Sequence, residues 1–173
     1  VYENVVVLDI ASMHPHSLIA MNYFGPYTPK FAGIVKLRMG IKTGHIDEAL
    51  RAFDSIDKNF SEQLKPYLEN ASEAKGLAHA LKIIINMIYG MTSAPYPNAF
   101  KDPRNIDNCI AKRGALFMVQ LKHEVQAKGY KVVHIKTDSI KIANGDQAII
   151  DYCMQRAREY KYEFEHEHTY DRM

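Results

Sequence analysis

No apolar run in the sequence approaches the length of a membrane span, and no signal-peptide pattern opens it. A membrane-spanning helix is therefore not expected. Cysteine is scarce: Cys109 and Cys153 stand far apart with no CxxC, so reduced thiols in a cytoplasmic protein are the simple reading. There are no internal repeats and no low-complexity segments. Neither sign of charge dominates, since 22 Lys and Arg face 20 Asp and Glu for a net charge of +2. That balance permits nucleic-acid binding without arguing for it. The chain opens on Val1 and enters a strand-like run at once, as a fragment of something longer would.

What is present fits an ordered protein. The 173 residues suffice for a real core, and 47% of them are apolar, against disorder. Charge is unevenly spread: Lys101 to Lys141 is rich in Lys and Arg, whereas Glu159 to Asp171 carries four Glu and an Asp.

Asn4–Ile10, NVVVLDI, is a β-branched run with no polar alternation until Asp9, the pattern of a strand buried on both faces and ending at an acid. SMHPHS reads as a turn, and Gly25-Pro26 with Pro29 as a loop. Ile46–Lys58 has helical spacing, with Ile46, Ala49, Leu50, Phe53 and Ile56 on one face. Lys65-Pro66 reads as a break. Ser72–Met91 is the strongest helix, capped by Ser72. Leu77, Leu81, Ile84, Ile85 and Ile88 make its apolar stripe, and Lys75, His79, Lys82, Asn86 and Tyr89 make a separate row at spacings of four, three, four and three. Ile110–Lys128 predicts a second long helix stopped by Gly129. Two β runs flank Lys136-Thr137-Asp138-Ser139 as a hairpin with the acid at its tip. Asp146 caps a last helix to about Arg158. The end alternates, which puts Glu163, Glu165 and Glu167 on one face of a strand.

Two acids thus stand at strand ends. An acid at the end of a buried strand is costly unless something pairs with it. Magnesium suits such a place, because it takes hard oxygen ligands and uses one or two carboxylates plus substrate phosphates. Either acid alone reads as an ordinary turn residue.

Three segments in order resemble the three polymerase motifs of family B DNA polymerases. Asp9-Ile10-Ala11-Ser12-Met13-His14-Pro15-His16 matches Asp-x-x-Ser-Leu-Tyr-Pro-Ser. Lys82 to Gly90, with Asn86 and Tyr89 at their places, matches Lys-x-x-x-Asn-Ser-x-Tyr-Gly. Thr137-Asp138-Ser139 matches the end of Asp-Thr-Asp-Ser. The resemblance spans nearly the whole chain, and the second motif is the most specific.

The resemblance implies an α+β fold: a palm with an antiparallel sheet backed by helices, and a fingers subdomain made of a helical hairpin. The expected divisions are 1–40 for the first part of the palm, 41–95 for the fingers and 96–173 for the second part of the palm. The implied activity is template-directed nucleotidyl transfer from a dNTP to a primer 3′-OH, with two magnesium or manganese ions. Asp9 and Asp138 would be catalytic and metal-binding, with the Ile10 carbonyl completing the coordination. Backbone N–H groups around Ser12, Met13 and His14 would hold the β- and γ-phosphates. Lys82 would neutralise the triphosphate, Asn86 and Tyr89 would line the nascent base pair, and Gly90 would let it approach. Beyond the motifs, Glu165 is the expected third carboxylate, with Glu167 second. A solvated strand edge and a His/Glu zinc site are the alternatives there. Arg51 is a candidate for the triphosphate. Lys112, Arg113 and Lys136 are candidates for DNA.

Three departures from the family pattern stand out. Lys136 replaces the first acid of the third motif, His14 replaces the Tyr that stacks beneath the incoming sugar, and Met87 replaces a Ser. Lys136 favours an alternative, a degenerate scaffold that binds nucleic acid without catalysis. A reverse transcriptase or nucleotidyl cyclase would share the acids but not the Lys82–Gly90 spacing. The expected partners are primer–template DNA, dNTP, and the exonuclease and thumb domains of a parent polymerase. The short spacing between the first two motifs suggests a compact phage-type enzyme, monomeric, in a bacterial cytoplasm, with the segment weak or inactive alone.

Overall fold

The computed structural model describes all 173 residues. The chain divides into two compact units, Val1–Ala20 with Asn108–Met173, and Met21–Asp107. The sequence reading places its divisions at 40/41 and 95/96 instead.

The first unit is built on a four-stranded antiparallel sheet. It contains β1 (Glu3–Ile10), a short helix α1 (Met13–Ala20), then α6 (Cys109–Ala127), β2 (Lys131–Lys136), β3 (Ser139–Ala143), α7 (Gln147–Glu159) and β4 (Phe164–Arg172). The strand order is β2-β3-β1-β4, so β1 is interior and hydrogen-bonded on both sides. Its residues Val5 to Leu8 are all buried, as a strand covered on both faces requires. Val6, Leu8 and Ile10 point to one face. There they meet Ile140, Ile142 and Phe164 from the neighbouring strands, and Phe117, Leu121, Val125, Ile149 and Cys153 from α6 and α7. Each fully buried Leu, Ile or Phe contributes roughly 1.5–3 kcal/mol, so this single cluster dominates the unit's stability.

Local chemistry sets the ends of these elements. Gly129 stops α6 at φ 89°, the left-handed region glycine enters without strain. Asp146 accepts the Ile149 N–H and caps α7, as expected. SMHPHS is not a turn throughout. Only Ala11–Ser12 turns, and the helix begins at Met13 with Pro15 in its first turn, where a missing N–H costs little. Met13 packs onto α6 where Gly114 leaves room; a Cβ there would lie 2.6 Å from the Met13 methyl.

The second unit is helical. It comprises α2 (Thr28–Thr43), α3 (Ile46–Asp54), α4 (Lys58–Leu68) and α5 (Ala71–Thr92), with a 3-10 turn at Gly25–Tyr27 and another at Pro103–Asn105. Its core joins Leu37, Leu64 and Leu81, with Ile34, Leu50, Phe60 and Leu77 packed around them. Helix α2 was not expected. Its buried positions, Phe31, Gly33, Val35, Leu37 and Gly40, do not form the simple stripe that signals an amphipathic helix. Two glycines replace bulky residues at its contact with α3. A Cβ at Gly33 would lie 2.5 Å from the Phe53 ring, and one at Gly40 would lie 2.3 Å from the Ala49 Cβ.

The stretch expected as one helix over Ile46–Lys58 is interrupted at Ser55–Asp57. Asp57 accepts the Phe60 N–H and starts α4, a role an Asp side chain fills better than a helix interior. Ile56 is exposed as a result. Pro66 does not break the chain, because it lies in the last turn of α4 and the helix ends two residues later. Asn70, not Ser72, caps α5 by accepting the Ser72 N–H. Ile84 is exposed, so the buried stripe is Leu81, Ile85 and Ile88.

Candidate active site

Asp9 is the penultimate residue of β1, with Ser139 of β3 opposite on one side and Glu165 of β4 opposite on the other. Lys136 of β2 pairs in turn with Ser139. Residues opposite one another in an antiparallel sheet project from the same face. Lys136, Ser139, Asp9 and Glu165 therefore form one row across the sheet, on the face opposite the α6–α7 core. Strands lie about 4.8 Å apart, so Glu165 is the immediate neighbour of Asp9. Lys136 shares their face but stands two strands from Asp9.

Asp138 sits in the two-residue turn between β2 and β3, next to a strained Thr137 at φ 26°. The Ile10 N–H donates to the Asp138 carbonyl at 2.8 Å, which ties this turn to the end of β1. The Ala11 N–H donates to the Glu163 carbonyl at 2.9 Å and holds the start of β4 on the other side. Backbone bonds thus bring three acid-bearing segments to one end of the sheet. Asp9, Asp138 and Glu165 are each half-buried.

Alternation in β4 is broken between His166 and His168. Val7 pairs with His168 and Leu8 with His166, which leaves Glu167 as the extra residue of a bulge. Glu163 lies before the strand. The three glutamates therefore do not share a regular face, and Glu165 alone is registered to Asp9.

The first turn of α1 follows immediately. Ser12 holds φ 53°, and its carbonyl accepts both the His16 N–H at 3.1 Å and a contact from His16 Nδ1 at 3.1 Å. The amides of Met13 and His14 stand at this helix start, where N–H groups point out along the axis and favour anions. The Met13 side chain is buried in the core, so only its backbone is available. Burial holds His14 below the usual imidazole range, while the charge of Asp138 pulls it back up.

No group of three or more His, Cys, Asp or Glu side chains is arranged to hold a metal ion. A zinc site in the tail has no such frame to stand on. Magnesium asks less of the protein: one or two carboxylates, with phosphates and water supplying the rest. Asp9 and Asp138 supply hard oxygen donors of that kind at one end of the sheet.

In the helical unit, Lys75, His79, Lys82 and Asn86 are exposed along α5, and Tyr89 is half-buried. Lys75, His79 and Lys82 line a cleft of about 550 Å³ together with Arg38 and Lys42 of α2. Arg51 does not line it; it is exposed on α3 and donates to the Asp47 carbonyl at 3.2 Å. Arg38 and Lys42 are a missed pair. Their i, i+4 spacing marks one helix face, but only once 28–43 is known to be helical. A Cβ at Gly90 would meet nothing within 4 Å, so packing inside the unit does not demand glycine there. Close approach of a ligand is a separate reason for one.

The expected DNA contacts differ among themselves. Lys112 and Lys136 are exposed. Arg113 is engaged within its unit: its Nη2 donates to the Tyr160 carbonyl at 2.5 Å, and its guanidinium lies 4.6 Å over the Tyr162 ring.

An antiparallel sheet backed by helices, with a separate helical unit, resembles the fold of a family B DNA polymerase segment. The chain superposes on the family B DNA polymerase of the hyperthermophilic archaeon Pyrobaculum calidifontis with a TM-score of 0.57, covering 99% of this chain and 24% of that one at 16% identity. It is 31% identical over 145 residues to DNA polymerase II of Escherichia coli (strain K12), a match that takes in 80% of this chain and 18% of that protein. No protein-family model matches. In sequence and fold the chain is similar to family B DNA polymerases, and it spans about a fifth of the length of the curated relative. No helix is long and apolar enough to cross a membrane.

Proposed function

We propose that the chain is a catalytic-core segment of a DNA polymerase, transferring a nucleotide from a dNTP to a primer 3′-OH with release of pyrophosphate. The observation that carries this reading is the register Lys136–Ser139–Asp9–Glu165, with the Asp138 turn bonded to Ile10. On this reading the sheet-bearing unit is the palm and the helical unit the fingers. Asp9 and Asp138, with the Ile10 carbonyl, would hold two magnesium or manganese ions, with Glu165 beside Asp9 as the third carboxylate. Ions bound there would supply Lewis-acid chemistry, lowering the pKa of the 3′-OH and offsetting charge on the phosphoryl oxygens.

The remaining roles fall to the chain's own groups. The amides at the start of α1, around Ser12, Met13 and His14, receive the β- and γ-phosphates. Lys82, with Arg38 and Lys42, neutralises the triphosphate by charge-assisted contacts. Asn86 and Tyr89 face the nascent base pair, and Gly90 admits it. His14 presents a flat ring to the sugar. Lys112 meets DNA phosphate, which fixes position without reading sequence. Primer–template DNA and dNTP are the substrates, and the exonuclease and thumb regions of the parent chain supply the grip.

The test is manganese-induced NMR line broadening with a dNTP present, followed by primer extension. Broadening centred on Asp9 and Asp138 that disappears in Asp9→Asn supports the site. Broadening elsewhere overturns it. A second reading, a nucleic-acid-binding scaffold without catalysis, is favoured by Lys136 projecting from the same face as Asp9. Under that reading DNA binds, but manganese leaves both aspartates unbroadened.

A further inference from the structure

The helical unit holds another cleft, of about 410 Å³, that the reading above does not use. Five aromatic side chains line it: Tyr23, Phe24, Tyr27, Phe31 and Phe100. They come from two stretches far apart in sequence, and both stretches are braced. Phe24 meets Phe31 edge-on at 4.8 Å and Phe100 at 6.3 Å. Arg104 lies 4.3 Å over the Tyr23 ring, donates to the Tyr23 carbonyl at 3.1 Å, and holds the Asp102 carboxylate at 2.6 Å. The Phe24 N–H donates to Thr28 Oγ1 at 3.2 Å. The platform is therefore preformed, whereas Tyr27 is 73% exposed and Phe24 and Phe100 are half-buried.

Charge selects among possible occupants. The one carboxylate lining the cleft, Asp102, is ion-paired with Arg104. Lys30 is ion-paired with Asp57 at 2.5 Å. Lys101 donates to a neutral acceptor, the Pro95 carbonyl, at 3.2 Å, so its charge is not cancelled by that bond. An aromatic platform beside an uncancelled cation is the chemistry that receives one unpaired base of a single strand and its neighbouring phosphate. The volume lies within the usual range for small-ligand sites.

We infer that this cleft stacks an unpaired nucleobase of single-stranded DNA on Tyr27 and Phe100, with Lys101 on the adjoining phosphate. The inference rests on the likeness to DNA polymerases, and not on catalysis. Stacking is sequence-tolerant, so the cleft distinguishes unpaired from paired or baseless positions more than one base from another.

The test uses the full chain without metal or dNTP, so it stands or falls independently of the active site. Fluorescence anisotropy compares a labelled oligothymidylate with an abasic strand of the same length and charge. The expected result is about tenfold tighter binding of the oligothymidylate, the worth of one stacked base. Tyr27→Ala, at an exposed position that leaves the fold intact, reduces that preference several-fold, whereas Lys101→Ala weakens both strands alike. A bromouracil-substituted strand crosslinks within 23–31 or 99–102. Equal affinity for the two strands overturns the inference, as would happen if a protein segment fills the cleft. A preference that survives Tyr27→Ala, or crosslinks confined to other residues, overturns it as well.

Discussion

The two units hold their charged groups in different ways. In the sheet-bearing unit, Asp9 sits between two registered strands, and the Asp138 turn is fixed by a 2.8 Å backbone bond. A slip of one residue would turn Asp9 to the apolar face, so the register that buries Val6 and Leu8 also aims the acid. In the helical unit, the cations Arg38, Lys42, Lys75 and Lys82 are long side chains on helix faces and share one cleft. The first unit commits single groups to fixed points; the second offers charge redundantly. Under the proposed function, Asp9→Asn should therefore lower metal-dependent primer extension on the order of a thousandfold, the several kcal/mol a bound ion would contribute. A residual rate within tenfold of wild type would break the contrast.

Lys82→Ala should cost less. Removing one charge-assisted contact is worth about 1.5–3 kcal/mol, roughly ten- to a hundredfold in dNTP affinity, and the cations around it cushion the loss. Titration of dNTP against the variant measures this, and a loss as large as that of Asp9→Asn would mean that Lys82 does not act within a shared field.

Stability should follow the same division. Gly40→Ala places a Cβ against the Ala49 Cβ and 2.9 Å from the His45 carbonyl, neither of which is the end of a flexible side chain. It should destabilise the helical unit by about 1–3 kcal/mol, read as earlier loss of helical signal on heating. In the other unit, Glu124 receives two bonds from Arg156 at 2.8 Å and one from Tyr152 at 3.0 Å. Arg156 first, and Tyr152 and Gln120 after it, hold this carboxyl down at about 2. A carboxyl lowered by folding adds stability that is complete above its unfolded value of 4.5 and is lost as pH falls toward about 2. Glu124→Gln should therefore cost about 1–2 kcal/mol at neutral pH and flatten the acid limb of the stability profile between those values.

Legibility divided along the same line. A β-branched run ending at Asp9 and a hairpin around Asp138 are short-range patterns, and the sheet realises both. The Lys82–Tyr89 row follows from helix geometry alone. What escaped the sequence depended on packing between elements. Helix α2 lacks a simple apolar stripe because Gly33 and Gly40 serve its contact with α3. Simple alternation puts Glu163, Glu165 and Glu167 on one face, but Glu163 lies before the strand and the bulge displaces Glu167. Arg113 reads as a surface cation, and only the fold reveals the Tyr160 carbonyl and Tyr162 ring that occupy it.

The smallest expected effect separates what the sequence nominated from what the structure nominates. Arg51 is a candidate for the triphosphate from sequence, yet its guanidinium bonds back to the Asp47 carbonyl and stands outside the basic cleft. Arg38 and Lys42 line that cleft with Lys82. Arg38→Ala and Lys42→Ala should each weaken dNTP binding about two- to fivefold, the scale of an exposed charge among several, whereas Arg51→Ala should leave it unchanged. Because exposed charges more than a Debye length apart are screened, raising salt should shrink the Arg38 and Lys42 effects. If Arg51→Ala proves the larger loss, the triphosphate does not lie in this cleft, and the redundancy assigned to the helical unit belongs to a different face.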